Sequence, residues 1–276
     1  MKNLFFILVF FMKIMEMTAQ IPSCDGNRYK HFVFGMADSV MNVQYGMNTT
    51  MNHVPQPLTL DIYQPHADSA EKRPLILFIH GGAFVAGDKQ EARYLCILFA
   101  RMGYVAATIN YRLIDIPVVD SITVTDAIVK AMSDTKAAVR FFVEDANTQN
   151  LFRTDTNFIF LSGISAGGII ASHVAYLDTT DMIPSYLMDL INLNGGFKGN
   201  SSSNTSYATP IKGIINYSGA LLRKEFISEG EPALFSVHDQ SDTIVPCFHG
   251  LTLTAHCIVF CDGSCAMQEE ATLKTV

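Results

Sequence analysis

Residues 163–167 read Gly163-Ile164-Ser165-Ala166-Gly167, between the apolar run "FIFLS" (158–162) and the helix-like "GIIASHVAYL" (168–177). A serine hydroxyl is a poor nucleophile at neutral pH. It needs a base within hydrogen-bond reach, a group that orients the base, and donors for the oxyanion. A sharp strand-to-helix turn suits such a serine: it takes a strained backbone, and the residues two places either side must be small. The helix that follows then directs its N-terminus at the developing negative charge. Gly-x-Ser-x-Gly alone is a weak signal, and its place between a strand-like and a helix-like run is what singles out Ser165. A second stretch, "HGGAFVAGDK" (80–89), follows the strand-like "LILFI" (75–79). Adjacent glycines at a strand end let the backbone turn its N–H groups toward a ligand. With the Ala166 amide, those groups have the chemistry of an oxyanion hole.

Four motifs in order carry a family resemblance. They are His80-Gly81-Gly82, Asn110-Tyr111-Arg112 after the next strand-like run, Gly163 through Gly167, and "HDQSDTIVP" (238–246). Over residues 55–275 the chain resembles the α/β-hydrolase superfamily, and within it the secreted carboxylesterases of the hormone-sensitive-lipase and feruloyl-esterase-like type. The resemblance implies Ser165 as nucleophile and the amides of Gly82, Ala83 and Ala166 as the oxyanion hole. Ala83 stands where many relatives have a third glycine, which matters little because the backbone donates. It implies Asp242 as the acid, ahead of the Val245-Pro246 step, with Asp239 the competing carboxylate. The acid would fix the tautomer of a histidine and stabilise its imidazolium. His80 is expected to position its loop rather than act as base.

The order Ser, Asp, His requires a histidine beyond Asp242, on a loop after one more helix and strand. Only His249 and His256 follow. His249 comes too early for a helix and strand to intervene, which leaves His256 as the remaining candidate. The final stretch "DGSCAMQEEATLKTV" (262–276) resembles the family's last helix, with Ser264 as its cap. The expectation is a chain that stops short of its last strand and its catalytic histidine, leaving a sheet edge open. Losing the base alone costs on the order of 10⁶ in turnover in one serine protease. A non-catalytic homologue that keeps the fold for binding is the competing reading.

The elements that must position these groups alternate. "LTLDIY" (58–63) alternates apolar and polar residues, as a half-exposed strand does, while "PLILFIH" (74–80) and "YVAATIN" (104–110) read as buried parallel strands. Helical spacing covers 88–103 and 121–146, then "NFIFLSG" (157–163), a helix from Ala166, "IKGIINYSG" (211–219) and "PALFSVHD" (232–239) follow. This is the order of a mainly parallel sheet with helices on both faces, an α/β fold whose ligands bind at the carboxyl ends of the strands. The Gly- and Ser-rich 192–210 reads as a surface excursion.

The 276 residues are 49% hydrophobic and 16% charged with net charge −7, which suits one globular domain and argues against nucleic acid as partner. Residues 1–19 place Lys2, an apolar Leu4–Met12 and small Thr18 and Ala19 in the order of a secretory signal peptide. The mature domain would then be 20–276, secreted or periplasmic, with no membrane span. Export makes Cys24, Cys96, Cys247, Cys257, Cys261 and Cys265 candidates for disulfides; their spacing matches no common zinc pattern. No metal or organic cofactor is expected. The substrate the resemblance implies is a small or carbohydrate-linked ester. His173 is expected to be packed in its helix. Asn48, Asn200, Asn204 and Asn216 begin glycosylation sequons.

Overall fold

The computed structural model describes residues 26–117, 120–252 and 259–276. The signal-like leader, Cys24, His256 and Cys257 lie outside the described residues. The main sheet is built from β1 (Ala37–Thr49), β2 (Pro55–Pro65), β3 (Arg73–Ile79), β4 (Val105–Ile109), β5 (Thr154–Ile164), β6 (Gly213–Tyr217) and β8 (Ala233–Val237). Their order is β1-β2-β4-β3-β5-β6-β8, parallel from β4 through β8 and antiparallel at β1 and β2. The fold is therefore α/β, with the mainly parallel sheet that the strand and helix order implied. A small antiparallel sheet joins β7 (Ala220–Leu221), β10 (Phe260–Gly263) and β9 (His249–Leu251).

Helix α1 (Arg93–Met102) covers one face, setting Cys96 and Ala100 against Ile76, Phe78 and Ala106. It ends on Gly103, whose φ of 113° gives the left-handed turn that closes a helix. On the other face lie α2 (Ser121–Asn147) and α3 (Ala166–Tyr176), which pack with Leu75, Leu77, Ile159 and Leu161 into the main core. Helix α2 starts where Asp120 accepts from the Thr123 amide at 2.7 Å.

Two segments differ from the sequence reading. "LTLDIY" is buried rather than half-exposed, because β2 sits inside the sheet between β1 and β4. Its polar residue Asp61 is fully buried and accepts from Lys89 Nζ at 2.7 Å, Gln90 Nε2 at 2.6 Å and the Asn42 amide at 2.7 Å. Second, residues 192–210 are not a free excursion. Helix α4 (Ser185–Leu193) leads into a loop pinned by the buried Ser201, whose hydroxyl donates to Asp134 at 2.5 Å. Asp134 in turn pairs with the buried Arg112 at 2.8 Å. Arg140 of α2 donates to the Lys198 carbonyl and Ser202 hydroxyl of the same loop, at 2.8 and 2.9 Å. Serines and glycines here mark a chain that must approach a helix closely, not one that leaves the surface.

Helix α5 (Ser264–Lys274) packs beside β8. Among the described residues β8 has one strand neighbour, β6, and is an edge. On the side of the sheet that α1 occupies, the register sets Ile215 beside Phe235 and Tyr217 beside Val237. Phe235 is 59% and Val237 49% exposed, so this half of the face presents apolar rings and branches without a helix over them among the described residues.

Two outcomes follow from this arrangement. The double variant Phe235→Lys, Val237→Lys should bind far less of an environment-sensitive apolar dye than the parent, with an unchanged far-UV spectrum. Asp134→Ala leaves the Arg112 guanidinium buried without its counter-charge and should cost on the order of 3–5 kcal/mol in urea unfolding.

Candidate active site

Strand β5 runs straight into α3 through one residue. Ser165 has φ 53° and ψ −119°, a conformation that strains any side chain with a Cβ. Its amide donates to the Tyr217 carbonyl at 2.8 Å and its carbonyl accepts from Ile169 at 2.9 Å, so both chain directions are held. The flanking glycines are required by contact. A Cβ on Gly163 would run into the Gly167 carbonyl, and one on Gly167 into the carbonyls of Ile79 and His80. The helix can therefore begin only where these two residues have no side chain. Among the described residues the Ser165 hydroxyl has no hydrogen-bond partner.

The 80–84 loop lies at the same sheet edge. A Cβ at Gly81 would stand 3.5 Å from the Ser165 Cβ and 3.1 Å from the Ile164 carbonyl. Ala83 and Phe84 both adopt positive φ, 51° and 64°. The turn is closed by the Val85 and Ala86 amides donating to the Gly82 carbonyl at 3.0 Å. The amides of Gly82, Ala83 and Ala166 make no hydrogen bond among the described residues. His80 donates from Nδ1 to the Gly81 carbonyl at 2.8 Å and stacks on Tyr111 at 4.3 Å between ring centroids. Burial holds its pKa below the usual imidazole value. Tyr111 donates its hydroxyl to the carbonyls of His80 and Gly81, and the Ile114 amide bonds the Phe84 carbonyl at 2.8 Å. The loop is thus shaped by a neutral histidine and a tyrosine, each spent on backbone carbonyls. Beside the elbow an apolar cleft of about 450 Å³ opens among Phe78, His80, Leu95, Ile164 and Tyr217.

The family model BD-FAE matches residues 60–221, more than half of the chain. This protein belongs to the BD-FAE family. It is also similar to the probable carboxylesterase 6 of Arabidopsis thaliana, 34% identical over 115 residues. That match takes in 39% of this chain and spans 30% of the length of the plant protein. Among solved structures it is similar to apo esterase 2 of Thermogutta terrifontis, with a TM-score of 0.54 and 22% identity over 76% of this chain and 74% of that one. A truncated carbohydrate esterase from gut microbiota gives a TM-score of 0.54 at 16% identity, over 86% of this chain and 84% of that one. These two likenesses speak to the fold.

In this BD-FAE chain Asp242 sits on the loop after β8, which is two strands from β5 in the sheet. Its Oδ1 accepts from the Ile244 and Val245 amides at 2.8 and 3.1 Å, and its Oδ2 lies 3.4 Å from His238 Nε2. Asp239 is exposed and accepts from the amide and hydroxyl of Ser241, a local turn with no tie to the elbow. His249 hydrogen-bonds Asp262 from Nδ1 at 2.8 Å on the small sheet, with a largely exposed ring stacked on Phe260. No hydrogen bond joins it to Ser165. His173 is fully buried in α3, donating from Nδ1 to Ile169 and accepting at Nε2 from the Leu222 amide. Ser264 does not cap α5, as the sequence reading had it: Gly263 holds that position, and the hydroxyl is drawn to His238 and Asn216. Cys247 and Cys265 are joined, tying the acid loop to the start of α5. Cys96 is a buried thiol pushed up by desolvation.

The sequence reading passed over His238, Ser264 and Asn216 as site residues. The signal was present for His238, which stands four residues before Asp242 at a strand end. Asn216 had drawn notice only as a sequon, and its full burial puts it out of reach of any glycosylating enzyme in the folded chain.

His173 supplies a stability test. Burial lowers its pKa from 6.5 to about 4. The unfolded chain takes up this proton first as the pH falls, so stability is held above pH 6.5 and declines between 6.5 and 4. Denaturation midpoints of His173→Gln should fall less steeply over that window than those of the parent. At the elbow, Gly167→Ala should give insoluble or unfolded protein, whereas Ala175→Ser, at a half-buried position near the end of α3, should not.

Proposed function

We propose that this protein is a serine carboxylic ester hydrolase that acts through an acyl intermediate on Ser165. The observation that carries this reading is the strained Ser165, at the carboxyl edge of the sheet, with an unengaged hydroxyl against the Gly81–Ala83 loop. Nothing in the folding of a parallel sheet requires a strained serine to face a loop of unbonded amides, and electrostatic stabilisation of an oxyanion does. In this mechanism Ser165 Oγ attacks the ester carbonyl as a base takes its proton. The amides of Gly82, Ala83 and Ala166 receive the oxyanion, and the base hands its proton to the departing alcohol; water, deprotonated by the same base, then attacks the acyl carbon, and the acid leaves as the proton returns to Ser165 Oγ. Asp242 is the orienting acid. His80 and His173 are committed to backbone groups, and His249 to Asp262, so the base is sought elsewhere, with His256 the candidate.

Membership of the BD-FAE family and the esterase relatives support the reaction class. Extension to carbohydrate-linked esters draws on the family resemblance and on the likeness to the gut carbohydrate esterase, by analogy of fold. Export is proposed on the leader's composition, with the Cys247–Cys265 bond in keeping with an oxidising compartment. No helix among the described residues is long and apolar enough to cross a membrane. One observation favours the second reading, a fold that binds esters without turning them over: no described histidine meets Ser165.

The deciding measurement is steady-state hydrolysis of short nitrophenyl esters by residues 20–276 and its variants. Turnover that is weak in the parent, abolished in Ser165→Ala and unchanged in His249→Ala is the expected result. Equal loss in His256→Ala would place the base at that residue. Turnover that survives Ser165→Ala would sink the nucleophile assignment. Ester binding with no Ser165-dependent turnover would favour the binding reading.

A further inference from the structure

Between the acid loop and the elbow runs an unbroken row of buried polar groups. His238 directly follows β8, with its side chain 2% exposed. Its Nε2 lies 2.9 Å from the Val245 carbonyl and 3.4 Å from Asp242 Oδ2, and its Nδ1 meets Ser264 Oγ at 2.8 Å. Asn216 Nδ2 donates to Ser264 Oγ at 3.0 Å, and Asn216 Oδ1 accepts from the Gly219 amide at 3.0 Å. Asn216 is fully buried and pairs in register with Gly163 of the elbow. Its Oδ1 also faces Gly168 in the first turn of α3, where an added Cβ would stand 2.5 Å away.

With the ring neutral, the chemistry of the partners sets the direction of each bond. A carbonyl only accepts, so His238 Nε2 carries the proton that goes to Val245. In the neutral ring Nδ1 is then bare and must accept, so the Ser264 hydroxyl, which also lies 3.2 Å from the Gly219 carbonyl, turns its proton to the nearer Nδ1. Asn216 donates into a lone pair of that hydroxyl. Both ring nitrogens are occupied, which leaves His238 unable to serve as the base.

We infer that His238 is the positioning residue of the acid: through Ser264 and Asn216 it sets the place of the Asp242 loop relative to the Ser165 elbow. The inference rests on the ester-hydrolase reading for its catalytic consequence, and on the row of hydrogen bonds for its structural one. Val245, which His238 holds by its carbonyl, is also one of the two residues whose amides hold Asp242 Oδ1. Losing the imidazole therefore releases the peptide segment that carries the carboxylate. A displacement of about 1 Å at a reacting group can cost around 10²-fold in rate.

Three readouts test this. Imidazole nitrogen NMR of the full chain, at a pH where the ring is neutral, should show His238 as the Nε2–H tautomer; the Nδ1–H tautomer would overturn the row. In His238→Phe the Ile244 and Val245 amides should exchange at least about 10-fold faster, with His238→Gln restoring much of the protection because its amide keeps a donor toward Val245. Unchanged exchange in His238→Phe would overturn the inference. In ester hydrolysis His238→Phe should lose about 10²-fold in kcat at little-changed KM, with partial rescue in His238→Gln. Full kcat alongside fast loop exchange would mean that the loop's position does not govern catalysis. If His238→Phe does not fold, Ser264→Ala removes the donor to Nδ1 and should quicken the same two amides. Absence of Ser165-dependent turnover in the parent chain would count against the hydrolase reading, while tautomer and exchange would still decide whether His238 holds Asp242.

Discussion

The close approach of the first turn of α3 to the ends of β3 and β5 is the constraint on which the rest of the structure depends. Gly163 and Gly167 leave no room for a side chain, and Ile79 and His80 press their carbonyls on Gly167. This contact brings β3, β5 and α3 to one point and holds Ser165 at positive φ. A strained residue persists only where its surroundings over-determine it. Here the Tyr217 carbonyl, the Ile169 amide and the packed helix do so together.

The same edge is stiffened by charge on the face that α3 shares with α2. Arg112 ends the run after β4 and pairs with Asp134 on α2, while Ser201 closes the pair from the loop beyond α4. Tyr111, one residue earlier, props the 80–84 turn. Adjacent residues therefore fasten α2 to the sheet and shape the loop of unbonded amides. A buried ion pair of this kind contributes little net stability over an apolar replacement, yet losing one partner is severe. It serves to fix the register of three segments distant in sequence.

The acid side is built differently. Asp242 is held by amides of its own loop, by the His238 row, and through the Cys247–Cys265 bond to the start of α5. Beyond it β8 presents a free edge and an apolar face among the described residues, so the two halves of the site stand on unequal supports. The nucleophile rests on a central strand paired on both edges, and the acid on the last described strand.

Much was legible in the sequence because it depends on neighbours along the chain. The elbow follows from glycines two places either side of Ser165, the parallel strands from continuous apolar runs, and α2 from helical spacing. These are steric and periodic rules within a few residues. Asp61 misled because alternation reports which residues are polar, not whether a lysine from another segment will meet them. Likewise the serines of 192–210 read as surface until Arg112 and Asp134 were found beneath them. The row through His238, Ser264 and Asn216 was hidden for the same reason: its bonds join residues 26 and 48 positions apart. The pairing of Cys247 with Cys265, and the commitment of His249 to Asp262, also arise only when strands are set side by side. Sequence determined the local backbone of the nucleophile; tertiary structure decided the polar partners, because a hydrogen bond is specified by distance in space and leaves no period along the chain.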